Sequence, residues 1–449
     1  MFRKVLVANR GEIALRIMRG CRELGALPVA VCSEADRDGP WLDEAAETVC
    51  IGPARASDSY LDAGAILQAA EQTGCQAIHP GYGFLAENPG FAARCEQQGL
   101  TFIGPGPDAI RRMGDKAEAK MTIANAGLPT IPGSSGILST VEEGLALAMK
   151  IGFPVLLKAT AGGGGRGMRM ATDEKSFRKG FSEATLESGK AFGNPGLYLE
   201  KFVTGGRHIE FQILCDSFGN GIHLGERECS VQRNHQKLVE ESPSPVIPSK
   251  LRDSFGTKVA TAVASLGYRN AGTVEFLRAP DGELYFMELN TRLQVEHPVS
   301  EMITGIDIVR QQLLIAAGHH LEHKQSDISF NGHAVELRIN AENPQDNFRP
   351  DPGTITKFKP PTGDGVRWDS AIREGYRIPP HYDSMVGKLI VHGKDRNQAL
   401  DGAVKALDSM EVDGVHTTID LQRSILNHPV FRKGEYDVDW LAGSGLLEG

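Results

Sequence analysis

The chain lacks any apolar run of the ~18 uninterrupted residues that a membrane span requires, so no membrane insertion is expected. It lacks paired cysteines as well. Its seven cysteines are odd in number, scattered, and free of CxxC spacing, which excludes a disulfide framework or a cysteine metal knuckle and reads as free thiols in a reducing cytosol. Cys229, set among polar residues, is either one more packing thiol or a reactive one. Excess positive charge is missing too. The formal net charge of −9 opposes binding to phosphate backbones, so no nucleic acid is expected as a partner. The apolar residues 5–8 are too few for a signal-peptide core and read as a first strand. The ending Leu446-Leu-Glu-Gly449 carries no lipidation signal, and there is neither an internal repeat nor a low-complexity tail. These absences leave a cytoplasmic enzyme-sized chain of 449 residues, long enough for several domains.

Strands alternate with helices from the start. Residues 4–8, 28–32, 77–79 and 101–103 read as strands, and 13–24, 61–73 and 91–98 as helices, which predicts an open parallel sheet to about residue 113. His79-Pro-Gly-Tyr-Gly-Phe84 follows a strand, where such sheets bind ligands. A single helix over 113–126 leads to a small unit with helices at 141–151 and 174–189 and a strand at 155–158. Residues 204–320 read as antiparallel strands. Short strands and helices near 396–409 and 419–427 complete the chain.

Lys158-Ala-Thr-Ala-Gly162-Gly163-Gly164-Gly165-Arg166-Gly167 ends a strand on a lysine and continues as a glycine loop. Such backbone can approach an anion closely and close over ATP phosphates as a lid. The spacing is neither that of a P-loop nor that of a dinucleotide-binding turn.

In Glu288-Leu-Asn290-Thr-Arg292-Leu-Gln294-Val-Glu296 a polar group recurs at every second position. On a strand these five residues share one face, with Met287, Leu289, Leu293 and Val295 packing on the other. Glu288 and Asn290 offer hard oxygen ligands, Arg292 a planar fork for an anion, and Glu296 a base. Pro298 ends the pairing, so the strand is expected to finish near Glu296. Gly272-Thr-Val-Glu275 forms a hairpin with this segment through Pro280-Asp-Gly282. Glu275 and Glu288 then either share a divalent cation or pair with a lysine. Residues 226–237, dense in donors, form either a solvated loop or a wall that carries His235 and Lys237 to an anion. Two further runs, around Arg338 and from Pro379 to Lys388, read as a polar strand row and a rigid turn entering a strand.

Taken in order, Val7-Ala-Asn-Arg-Gly-Glu-Ile-Ala14, His79-Pro-Gly-Tyr-Gly-Phe-Leu85, the glycine loop and the 288–298 run resemble the signatures of the biotin carboxylase family of ATP-grasp enzymes. The resemblance extends over about residues 2–440. It implies an α/β and α+β multidomain fold: a Rossmann-like pre-ATP-grasp domain at 1–113, an ATP-grasp domain at 114–332 with a mobile lid at about 130–203, and a C-terminal biotin carboxylase domain at 333–446.

The implied substrates and cofactors are ATP, Mg²⁺ (or Mn²⁺), bicarbonate and biotin. Lys116, Lys158, Gly164, Gly165, Glu200, Lys201, Phe202, Val203, His208, His235, Glu275, Leu277 and Glu288 would surround ATP. Glu275, Glu288 and Asn290 would hold the metal. Lys237, Arg292, Gln294, Val295 and Glu296 would hold bicarbonate, and Arg338 would face biotin with Tyr82 and Tyr382 nearby. Arg292, Glu296, Arg338 and Lys237 would be the catalytic set.

The implied reaction is the biotin half-reaction of acetyl-CoA carboxylase. Its partners would be a separate biotin carboxyl carrier protein and carboxyltransferase subunits. A homodimer is expected through the helix bearing Arg16, Arg19 and Glu23, although the loop Thr362-Gly-Asp364-Gly365 carries an acid where relatives often have an aromatic. His319-His320 reads as a surface turn. The competing readings are a biotin carboxylase of a pyruvate or other carboxylase, an ATP-grasp ligase without a biotin site, and an inactive nucleotide-binding subunit.

Overall fold

The apolar residues Val5, Leu6 and Val7 are wholly buried because their strand, Lys4–Val7, is the centre of a parallel sheet. Leu27–Cys32 and Ala77–His79 flank it, with Glu47–Cys50 and Thr101–Phe102 outside them. Helix Gly11–Glu23 follows the central strand and buries Ile13, Ala14, Ile17, Met18 and Cys21, the i, i+3, i+4 stripe of a helix packed on a sheet. The computed structural model describes residues 1–134, 136–159, 168–192 and 196–447.

These residues divide into two compact units: one of 1–111, 207–275 and 289–449, the other of 112–206 and 276–288. The larger unit holds the parallel sheet and most of an eight-stranded sheet. The latter runs in the order Leu284–Asn290, Asn270–Arg278, Arg207–Cys215, Gly221–Arg233, Gln236–Ser242, His333–Asn340, Met385–Gly393, Val366–Ser370. Division between the units falls inside its first two strands. The expected antiparallel run over 204–320 is thus present, interrupted by helix Ser249–Ser265, which the strand pattern did not foreshadow.

Register places functional side chains opposite one another: Gln232 against Lys237, Glu240 against Glu336, and Arg338 against Lys388. The hairpin joining Gly221–Arg233 to Gln236–Ser242 turns at Asn234 and His235, with φ of 50° and 65°. Two successive left-handed residues match the twist of the flanking strands. Segment 226–237 is therefore a buried hairpin, not a solvated loop, and only its tip is exposed. Under the sheet, Leu337, Ile339, Leu389 and Val391 pack with Leu400, Ala403, Leu407 and Ile425 of helices Arg396–Ser409 and Ile419–Asn427.

The smaller unit is built on strand Val155–Ala159, paired antiparallel with Met168–Ala171 and Leu197–Lys201. Helices Val141–Ile151 and Glu174–Phe192 cover it through Leu145, Ala148 and Phe177. The single helix expected at 113–126 is two, Pro107–Gly114 and Lys116–Asn125. The break falls at Asp115, whose Oδ1 accepts the Glu118 N–H at 2.9 Å, an N-cap that starts a new helix.

Candidate active site

The larger unit concentrates its buried charge on Lys237. Its Nζ donates to Glu210 Oε2 at 2.6 Å, Glu275 Oε1 at 3.0 Å and Glu296 Oε1 at 2.5 Å. All three carboxylates are buried. Burial opposes their ionisation, but Lys237 outweighs it and holds each below the usual carboxylate range. The same acids push the ammonium well above its ordinary value against the cost of burial. The lysine pair that the sequence offered for Glu275 is present, with Lys237 as the partner. Arg227, fully buried, closes the far side by donating to Glu210, Gln212, Ser300 and Thr273. His208 lies 3.1 Å from Glu275 Oε2. Burial disfavours its charged form, yet Glu275 raises it to about 9.

The strand expected to carry five polar residues stops at Asn290. Residues 291–296 turn instead, and helix His297–Thr304 begins with Pro298 in its first turn. Arg292 folds back in that turn. It donates to Glu87 Oε2 at 2.8 Å, Gln294 Oε1 at 2.9 Å and Asn290 Oδ1 at 3.1 Å. Asn290 Nδ2 and Gln294 Nε2 in turn donate to Glu275 Oε1. Asn290, Arg292, Gln294 and Glu296 therefore converge by a turn, not by sharing a strand face. Of the residues expected on the packed face, Leu289 and Leu293 are buried, Val295 is partly so, and Met287 is exposed.

Arg338 reaches the other oxygen of Glu296, with Nη2 to Oε2 at 3.0 Å, and donates to Glu240. Glu240 and Glu336, opposed across two strands, are both buried. Burial raises Glu240 to about 7 and Glu336 well above the usual range; the charge of Glu296 adds to the first shift, and those of Glu240 and Glu296 add to the second.

In the smaller unit, Lys158 and Lys120 both pair with Glu200. Lys201 Nζ donates to the carbonyls of Gly152 and Phe153, at 2.8 and 3.2 Å. Lys116 is exposed, and Phe202, Val203, Leu277 and Glu288 are partly buried. Gly164 and Gly165 lie outside the described residues. His235 is exposed at its hairpin tip.

Tyr82 donates to Glu12, and Tyr382 donates to the Ala54 carbonyl at 2.6 Å while its ring meets Tyr60 and Phe84 edge-on. Cys229 is fully buried, and burial pushes its thiol well above the ordinary value, as for a packing residue. Arg16 pairs with Glu301 and Asp307, whereas Arg19 and Glu23 on the same helix are exposed.

Sequence reasoning missed Glu87, Glu210, Arg227 and Glu240. Glu210 and Gln212 alternate on strand Arg207–Cys215, and that period-two polarity was the available signal.

Three family models match in succession: "Biotin carboxylase, N-terminal domain" at residues 1–110, "Carbamoyl-phosphate synthase L chain, ATP binding domain" at 115–324, and "Biotin carboxylase C-terminal domain" at 336–443. Biotin carboxylase 1 of Bacillus subtilis is 51% identical over 442 residues, covering 98% of each chain. The chain belongs to the biotin carboxylase family. Its fold is that of biotin carboxylases, with a match to both flanking domains that a biotin-free ATP-grasp ligase would not give. The biotin carboxylase of Pseudomonas aeruginosa is 52% identical with the same coverage. The biotin carboxylase domain of Hydrogenobacter thermophilus 2-oxoglutarate carboxylase, solved as a dimer with MgADP, ADP and bicarbonate, superposes with a TM-score of 0.92 at 49% identity. It covers 100% of this chain and 99% of that one. Among the described residues no helix is long and apolar enough to cross a membrane.

Proposed function

We propose that the chain carboxylates biotin on a carrier protein, using ATP and bicarbonate, as the first half-reaction of acetyl-CoA carboxylase. Malonyl-CoA for fatty acid synthesis would follow from the second half. The observation that carries the reading is the position of Glu296, whose two oxygens are divided between Lys237 and Arg338. Glu296 is held ionised, so it is ready to accept the bicarbonate proton. Lys237 and Arg292 then stabilise the dianion, with Gln294 and the Val295 backbone completing the bicarbonate site.

Carbonate attacks the γ-phosphorus of ATP, the bond to the β-phosphate breaks, ADP leaves, and carboxyphosphate results. Its collapse gives CO₂ and phosphate. The phosphate released, or another base, takes the ureido N–H proton of biotin, and Arg338 stabilises the enolate-like oxygen as the nitrogen attacks CO₂. Tyr82 and Tyr382 are assigned to the biotin side of the site.

Lys116, Lys158, Gly164, Gly165, Glu200, Lys201, Phe202, Val203, His208, His235 and Leu277 are assigned to ATP by their match to the family's motifs. Glu275, Glu288 and Asn290 would hold Mg²⁺ or Mn²⁺, which when bound neutralises charge on the triphosphate. The donor chemistry suits a hard cation, because Glu275 is kept ionised and Asn290 carries an amide oxygen, which here accepts from Arg292 and would have to turn to a metal. The domain limits proposed are 1–113, 114–332 and 333–446.

The proposed partners are a biotin carboxyl carrier protein, carboxyltransferase subunits and a second copy of the chain, docked through the exposed Arg19 and Glu23. The proposed compartment is the cytoplasm. The test is ATP hydrolysis by the purified chain with Mg²⁺, expected to depend on bicarbonate and to rise on adding free biotin. Hydrolysis indifferent to both would overturn the reading. Co-purification with carboxyltransferase subunits specific for another acceptor would move the assignment to a pyruvate or other carboxylase.

A further inference from the structure

Lys388 has no part in the scheme above, yet it is wholly buried beside it. Its Nζ lies 3.2 Å from Glu12 and donates to the Val295 carbonyl at 2.8 Å. The register sets Lys388 directly opposite Arg338, so both project from one face of the sheet. Arg338 takes Glu296 by its side chain, and Lys388 takes the same turn by its backbone. A third hold comes from His297, whose Nδ1 lies 2.7 Å from the Gln294 carbonyl.

In a planar trans peptide the carbonyl and the following N–H point in opposite directions. Fixing the Gln294 carbonyl on His297 therefore aims the Val295 N–H away from the imidazole. Fixing the Val295 carbonyl on Lys388 aims the Glu296 N–H away from the ammonium. Two successive amides held in this way, at the start of helix His297–Thr304, present partial positive charge to an anion.

We propose that Lys388, anchored by Glu12, is a positioning residue for bicarbonate: it acts through the Val295–Glu296 peptide and touches no substrate. The inference rests on the reading that residues 294–296 hold bicarbonate. A purely structural ion pair between helix Gly11–Glu23 and the sheet would change stability and would move every kinetic constant alike.

The test is steady-state kinetics of the full chain with MgATP, bicarbonate and free biotin. Lys388→Met is expected to raise the bicarbonate KM about tenfold and to leave the ATP KM within about twofold. Because methionine strands the Glu12 carboxylate, the double variant Glu12→Gln/Lys388→Met is the folding control, and it is expected to show the same split. Glu12→Gln alone keeps the ammonium but loosens its anchor, so a smaller rise in the same constant is expected. An unchanged bicarbonate KM in these variants, or bicarbonate and ATP constants rising together, overturns the proposal. Wild-type protein without bicarbonate-dependent hydrolysis would overturn the underlying site assignment instead.

Discussion

Glu296 and Lys237 stand 2.5 Å apart, the first fully buried and the second partly so, 59 positions apart in sequence on a helix-leading turn and a strand hairpin. Their pairing keeps the proposed base ionised while placing the proposed anion-stabilising cation beside it.

Glu296→Gln keeps the shape and the hydrogen-bond reach of the side chain but removes the proton acceptor. Turnover is expected to fall by about 10²–10⁴, the usual contribution of a positioned base, with nucleotide affinity little changed. Calorimetric titration of the variant with a non-hydrolysable ATP analogue, beside a turnover assay, checks both halves. Retained turnover would remove Glu296 from the base role.

Arg338→Ala addresses the second chemical step. Biotin carboxylation is expected to drop by about 10²–10³, as when one donor to a developing oxyanion is lost, with the ATP KM nearly unchanged. The assay is fixation of labelled bicarbonate onto free biotin. A carboxylation rate unaffected by the substitution would exclude the guanidinium from the biotin step.

Lys237→Met leaves Glu210, Glu275 and Glu296 without the ammonium they share. Removing one partner of a buried ion-paired group costs about 3–5 kcal/mol, so a lower urea midpoint is expected along with loss of activity. An unaltered midpoint would mean that Arg227, His208 and Arg338 suffice to hold the three acids.

Glu241 provides the pH test, remote from the chemistry. It accepts from His333 Nε2 at 2.7 Å and from Arg396 Nε at 2.6 Å. Burial opposes its ionisation, but Arg396 and His333 prevail and depress it below the usual carboxylate range. A depressed carboxylate contributes stability above its unfolded value of about 4.3 and loses it as pH falls through the folded value. Glu241→Gln is therefore expected to be less stable than wild type at neutral pH and to converge with it in acid. Urea midpoints measured from pH 7 down to about pH 3 test this; a gap that stays constant across that range would contradict it.

Much of the site was legible because strands print their faces into sequence. Glu296 and Arg338 stand out in polar alternations and Lys237 in a donor-dense run, and each lies in the charged cluster. The acids that complete that cluster were harder to see. Strand Arg207–Cys215 is buried at every position, so the alternation of His208, Glu210 and Gln212 with Ile209, Phe211 and Ile213 reads as an ordinary half-exposed strand, and nothing in it tells that Glu210 is buried. The end of the 284–290 strand was hidden for a different reason: residues 291–296 keep alternating polarity after the backbone has turned, and only the folded-back guanidinium of Arg292 reveals it. Strand Glu47–Cys50 escaped notice because an exposed edge needs no apolar run. Helix Ser249–Ser265 buries small residues such as Gly256, Ala260 and Val263, which print a weak stripe.

The opposition of Arg338 and Lys388 across His333–Asn340 and Met385–Gly393 sets a rule for sequence change in this region. Side chains on a strand alternate with a period of two, so one residue added or deleted within either strand would swing one of the two cations to the opposite face. The opposite face carries Leu337, Ile339, Leu389 and Val391, which are buried against the helices, so replacements there keep the geometry only where they conserve apolar character and volume. These two strands can therefore exchange one apolar side chain for another of similar size but cannot change in length, and a library of short insertions and deletions should find them less permissive than a library of volume-conserving apolar substitutions.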